Sequence, residues 1–227
     1  MTGQPDGPEG TPSGRMWVLD LAALPPVVYA RLPAAIRRVD PGEIASLAQA
    51  MGAELSVAAS RLQTGRRAYA AWVEGQVAAY GWVSFEDEDI GEQQLRLRLL
   101  AGEAYVWDCA TRPGFQRQGL YSALLSHIVR DLHGDGLVRV WIGADLQNTA
   151  SHGGIERAGF TPVADLLVGA GADRHSRWLR GLPGVPAGLV AAARWALLGE
   201  REAEAASSLS GTGSGAPAAG CGRRASC

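Results

Sequence analysis

Cysteine is scarce and badly placed for cross-linking. The chain of 227 residues holds three, Cys109 in a predicted buried strand and Cys221 with Cys227 close together at the far end. No disulfide framework or metal-ligand spacing can be built from them, and a reducing, cytoplasmic setting is expected. An excess of charge of either sign is also missing. Lys plus Arg number 21 against 23 Asp plus Glu, a formal net charge of −2, so nothing calls for nucleic acid as a partner. The opening MTGQPDGPEGTPSGR has no basic start followed by an apolar core and does not read as a signal peptide. No apolar run is long enough to span a bilayer. The nearest, from Val185 onward, is broken by Arg194, and no membrane partner is expected. His127, His133 and His175 lack ligand spacing, so no metal is expected.

Composition divides the chain. Residues 1–15 and 204–227 are rich in Gly, Ser, Pro, Ala and Thr, which bury too little to offset the entropy of ordering, and both are expected to be disordered tails. Residues 16–182 form the expected catalytic domain, and residues 183–203 a peripheral helix. Within the domain, AAIRRV (residues 34–39) is expected as the first strand. DPGEIASLAQAMG is expected as a helix with Asp40 as N-cap and Pro41 in the first turn. A second helix covers residues 55–62. RAYAAWVEGQVAAYGWVSF reads as a hairpin turning at Glu74 and Gly75. LRLRLL (residues 95–100) alternates as a strand with one wet face and leads into YVWDCAT. TPVADLLV and HSRWLRG make two closing strands, and Ala187 to Leu198 a short helix on the outside.

Residues 104–160 carry the chemistry: a strand, the turn GFQRQGLY, a helix, the strand VRVWIGA, then NTASHGGIERAGF. A strand that breaks into a glycine-bearing turn and opens into a helix presents unpartnered N–H groups and about half a positive charge to an anion. The turn has no GxxxxGK followed by Ser or Thr, which a nucleoside triphosphate loop needs. It also lacks the three glycines of a dinucleotide fingerprint. What it has is Gln116, two residues, Gly119, one residue, Tyr121, with Pro113 before it.

This pattern resembles the pyrophosphate loop of the GNAT family, the acetyl-CoA-dependent N-acetyltransferases. Asn148 and Ser151 after VRVWIGA, and the closing pair Gly159 and Phe160, match the family's second motif. The resemblance covers about residues 35–180. It implies an α/β fold, a GNAT-like mixed sheet with helices on both faces, in which the strands YVWDCAT and VRVWIGA splay apart and the pantetheine arm of acetyl-CoA lies in the gap. The implied cofactor contacts are the backbone of Cys109, Ala110 and Thr111, the cradle of Gln116, Arg117, Gln118, Gly119, Leu120 and Tyr121, and Asn148 with Ser151. Two positions depart from the family. Tyr121 stands where Gly or Ala is usual, and Ile155 where many members carry a catalytic tyrosine.

The implied reaction is direct attack by an amine on a thioester. An alkylammonium with a pKa of about 10 must lose a proton, the developing oxyanion must be held, and the thiolate must be reprotonated. With Ile155 in the tyrosine position, Ser151, His152 and Tyr121 are the candidate acids. Asp108 and Glu103 lie on the central strand as candidate bases. Alternation puts Tyr105, Trp107 and Cys109 on one face and Val106, Asp108 and Ala110 on the other. A carboxylate inside a strand needs an explanation. Asp108 is expected either to pair with an arginine such as Arg112 or Arg139, or to serve as a base or as an anchor for a cationic acceptor. Trp72, Tyr80, Trp82 and Trp107 are core or the wall of an acceptor pocket. The acidic run at residues 86–89 is a solvated loop or an attractor of basic acceptors. The acceptor is expected to be a small-molecule or peptide amine. The other readings are a non-catalytic acyl-CoA-binding module and an acyltransferase with a longer donor.

Overall fold

The computed structural model describes residues 10–91, 95–169 and 176–199. Cys221, Cys227, His175 and the C-terminal segment 204–227 lie outside the described residues. The elements run β1 (Thr11–Asp20), β2 (Ala35–Arg38), α1 (Ile44–Met51), α2 (Leu55–Gln63), β3 (Arg67–Val73), β4 (Gln76–Ser84), β5 (Glu88–Ile90), β6 (Leu95–Leu97), β7 (Glu103–Thr111), α3 (Leu120–Gly134), β8 (Arg139–Asp145), α4 (Thr149–Arg157), β9 (Thr161–Val168), β10 (Arg177–Gly181) and α5 (Ala187–Leu198). Eight strands form one sheet in the order β10-β9-β1-β8-β7-β4-β3-β2, and β5 pairs with β6 beside it. Neighbours in the large sheet run antiparallel, except that β7 and β8 are parallel.

Local chemistry explains most boundaries. Glu74 and Gly75 both take positive φ, 49° and 75°, the geometry of a two-residue hairpin loop whose twist suits the flanking strands. Asp40 precedes a 3-10 turn at Pro41–Glu43, and its N–H donates to the Glu43 carboxylate at 3.2 Å. Left-handed Gly52 then stops α1.

The N-terminal segment is a correction. Residues 11–15 belong to a strand rather than a tail, and residues 34–39 hold the second strand. Thr11–Asp20 enters the sheet between β8 and β9, with Trp17 opposite both Ile142 and Pro162. Composition missed this because the strand's stability comes from partners far downstream. Pro12, which has no N–H to donate, sits beside a register shift where the ladder is interrupted.

Helices cover both faces. α3 and α4 lie over one core, which contains Trp17, Tyr69, Val106, Leu124, Ile128 and Ile155. On the opposite face α1 and α2 cover β3 and β4, and α5 covers β6, β9 and β10. α5 buries Ala193, Ala196 and Leu197, so it completes a core rather than decorating the surface.

Alternation along β7 also fails, at one residue. Trp107 faces Trp82 and Ala110 faces Tyr80, so three steps on β7 oppose two on β4. The extra residue is absorbed at Asp108, whose φ is +43°, a β-bulge. Cys109 therefore joins Val106 on the α3 side, and Ala110 joins Trp107 on the other.

Candidate active site

The parallel pairing of β7 with β8 ends at Val106 and Ile142. Beyond that point residues 107–111 and 143–145 diverge, and the edge of β7 facing β8 has no ladder partner among the described residues. A cleft of about 860 Å³ opens there, lined by Tyr105, Trp107, Asp108, Cys109, Tyr121, Asn148 and Ser151, together with Arg61 and residues 88–91. Ala110 and Thr111 continue the same strand edge toward the turn.

The turn that follows is built as expected from its residues. After a 3-10 turn at Pro113–Phe115, Arg117 and Gly119 adopt φ of 62° and 73°. Successive N–H groups in such a turn form an anion nest, here leading into the free first turn of α3. The Gln116 side chain donates to the Thr111 carbonyl at 3.4 Å and ties the loop to β7. The Gln118 carbonyl accepts from the Arg31 N–H at 2.8 Å, so the β1–β2 connection braces the turn. Leu120 is buried and offers only its backbone.

Tyr121 leaves the nest. Its ring lies on α4 at Gly154, where an added Cβ would come within 2.4 Å of a ring carbon. Its hydroxyl hydrogen-bonds Ser151. Burial, together with the nearby Cys109, pushes the phenol well above its ordinary value despite the Ser151 bond, so it stays protonated at neutral pH. Burial likewise pushes the Cys109 thiol up to about 12, which removes it as a nucleophile. Gly154 escaped the sequence reading. The one signal was a Gly-Gly pair inside a helix, where glycine is costly without a packing reason. Gly154→Ala is expected to displace the Tyr121 ring from the cleft, shifting the ultraviolet difference spectrum of phenol ionisation toward lower pH. An unchanged titration would show that the ring had kept its place.

The remaining candidates separate. Asn148 caps α4, its Oδ1 accepting from the Ser151 N–H at 3.2 Å, and both residues line the cleft. His152 is not part of the lining. Its Nε2 meets the Asp145 carbonyl at 2.9 Å, so that nitrogen must carry the hydrogen, and its ring packs against Trp17 at 4.9 Å. Ile155 is fully buried in the core beneath α3. Glu103 is a structural group at the far end of β7, accepting from Arg139 at 2.8 Å and from the Trp141 indole at 3.1 Å.

Asp108 does pair with an arginine, but neither of those expected. Arg139 serves Glu103, and Arg112 donates to the Val77 carbonyl at 3.2 Å. The partner is Arg61 of α2, invisible to the sequence because α2 reaches β7 only through the fold. Of the four aromatic residues considered for an acceptor wall, only Trp107 lines the cleft. Tyr80 and Trp82 are core, and Trp72 packs against the same cluster.

Trp107 is held from behind. Its indole N–H donates to Ser84 Oγ at 2.8 Å, Ser84 donates to Glu88, and Arg66 grips the same carboxylate at 2.6 and 2.8 Å. Burial opposes the Glu88 charge, but the bonds from Arg66 and Ser84 outweigh it and hold the carboxyl below its ordinary value. A depressed carboxyl contributes stability that is present above its unfolded pKa and lost as pH falls through the folded one. Glu88→Gln is therefore expected to lower the urea midpoint at neutral pH. The gap to the parent should close as pH drops below about 4. A gap independent of pH would show that the charge is not what matters.

Comparison with known proteins accords with this geometry. The family model described as the acetyltransferase (GNAT) family matches residues 43–160. The ribosomal protein bS18-alanine N-acetyltransferase of Salmonella typhimurium is 31% identical over 109 residues, covering 40% of this chain and 72% of that protein. The Escherichia coli K12 protein of the same name is 33% identical over 63 residues, or 28% of this chain and 43% of its own length. Among solved structures, a GCN5-related N-acetyltransferase from Sphaerobacter thermophilus superposes with a TM-score of 0.50 at 15% identity. That match covers 69% of this chain and 50% of the other, and at such identity it speaks to fold alone.

Proposed function

Because the chain belongs to the GNAT acetyltransferase family, we propose that it transfers an acetyl group from acetyl-CoA to an amine in the cleft between β7 and β8. The observation that carries this reading is the end of strand pairing at Val106 and Ile142, directly below the turn at residues 116–121. The free edge of residues 107–111 offers N–H and C=O groups in a partly buried place, which an amide-bearing arm satisfies as a false strand. The left-handed backbone at Arg117 and Gly119 fits a diphosphate. Asn148 and Ser151 border the same cleft. When bound, the coenzyme supplies an acyl group activated as a thioester.

The chain's own residues divide the remaining work. A backbone N–H near Cys109 or Ala110 is the donor for the developing oxyanion. Tyr121, a neutral phenol on the cleft wall, is the acid for the departing sulfur, in place of the residue at Ile155. Asp108, at the acceptor end, meets the acceptor's positive charge. The Salmonella relative is named for an alanine of a ribosomal protein, so an amine borne by a protein is one acceptor class and a small amine the other.

Calorimetric titration with acetyl-CoA, with coenzyme A and ATP as controls, tests the reading. Micromolar binding of both coenzymes and none of ATP is expected; absence of coenzyme binding would sink it.

A further inference from the structure

The acceptor end of the cleft already holds a cation. The Arg61 guanidinium carbon lies 4.5 Å from the ring centroid of Trp107 and 5.2 Å from that of Trp82, and its Nη1 hydrogen-bonds Asp108 Oδ2. The open walls of this cation box are Asp108 and Trp107, whose ring also faces the Arg66 guanidinium at 5.7 Å, and Trp82 lies buried behind Arg61.

The walls of this box are fixed independently of its occupant. Trp107 is anchored through Ser84, Trp82 is fully buried in the core, and Asp108 is set by the bulge that aligns β7 with β4. Holding a non-glycine residue at positive φ is unfavourable, and such strain concentrates where a side chain must be aimed. The occupant is held by one ion pair between side chains 22% and 34% exposed together with the indole faces, and a partly exposed pair of this kind contributes little net stability.

Charge in the rest of the cleft points the same way. Arg15 is cancelled by Asp165 and Glu88 by Arg66. Asp89 and Asp145 also line the cleft and have no ion pair among the described residues. Once the internal pairs are counted out, the space is left negative.

We propose that Arg61 stands in for part of the acceptor: the acceptor is an amine with a second, cationic end, and that end displaces Arg61 from Asp108 and the face of Trp107. The assignment of the other end to acetyl transfer rests on the reading above; the binding event does not. Arg61 then sets specificity by competition, since an amine with a single charge cannot both replace Arg61 and present its nitrogen to the thioester.

The probe is agmatine, a primary amine carrying a guanidinium, compared with butylamine by calorimetry on the full chain. The parent is expected to prefer agmatine. Arg61→Ala and Arg61→Met should tighten agmatine on the order of ten-fold and butylamine, whose single ammonium lacks the planar guanidinium, by clearly less, while Asp108→Asn abolishes the preference. Arg61→Met keeps an aliphatic stem on the indoles, so a packing defect would appear in Arg61→Ala alone. Weaker agmatine binding in both Arg61 variants, equal changes for both amines, or no agmatine binding by any of the proteins would overturn the proposal. An acetyl-CoA titration of the same samples separates the two readings. Coenzyme binding without amine discrimination removes only the cation box, and the reverse removes only acetyl transfer.

Discussion

Gly119→Glu is expected to weaken acetyl-CoA binding by at least about a hundred-fold while the protein stays folded, as read by calorimetry and a thermal melt. Gly119 has φ of +73° at the start of α3, and a Cβ there would meet nothing closer than 3.6 Å. The new side chain therefore fits sterically and places its carboxylate over the N–H groups that would otherwise receive phosphate. The backbone penalty of a left-handed non-glycine residue is about 1 kcal/mol, too small to unfold a domain. Gly119→Asn separates the two effects, because asparagine tolerates this conformation and brings no charge. It is expected to retain most of the affinity. Equal losses in both variants would assign the effect to backbone strain, and no loss in Gly119→Glu would place the anion site elsewhere.

Trp17→Ala is expected to cost about 3–5 kcal/mol, measured by urea unfolding. Trp17 is fully buried, belongs to the core under α3 and α4, and packs against His152. Its indole N–H reaches Glu156 at 3.5 Å. A cavity of that size in the middle of the sheet has few ways to collapse. Removal of residues 1–20 is expected to abolish cooperative unfolding, because β8 and β9 would then face one another across a missing strand. A truncated chain that melts cooperatively would show that β1 is dispensable.

What could be read from residues alone was local. The turn at Gly119, the hairpin at Glu74 and Gly75 and the helix after Asp40 each announce themselves within a few positions, because capping and left-handed backbone are short-range chemistry. The cleft between β7 and β8 was legible as what the resemblance implied, although its lining also draws on β1, α2 and β5. Four features were not legible. β1 resembles a tail until β8 and β9 supply its hydrogen bonds. The bulge at Asp108 depends on register against β4, which no single strand encodes. Arg61 and Gly154 act on residues of other elements, Arg61 on Asp108 and Gly154 on the Tyr121 ring, and gain meaning only once helices are docked.

The placement of β1 has a consequence for how the molecule comes to be made. β1, which leaves the ribosome before the other described strands, is hydrogen-bonded to β8 and β9, among the later ones, and it separates them in the finished sheet. Until both have emerged, Met16, Trp17, Val18 and Leu19 form an apolar segment with no ladder to join. Closing so long a loop before any contact rewards it makes assembly slow and exposes an unpaired edge on the nascent chain. A strand made well before its partners waits for them to complete the sheet.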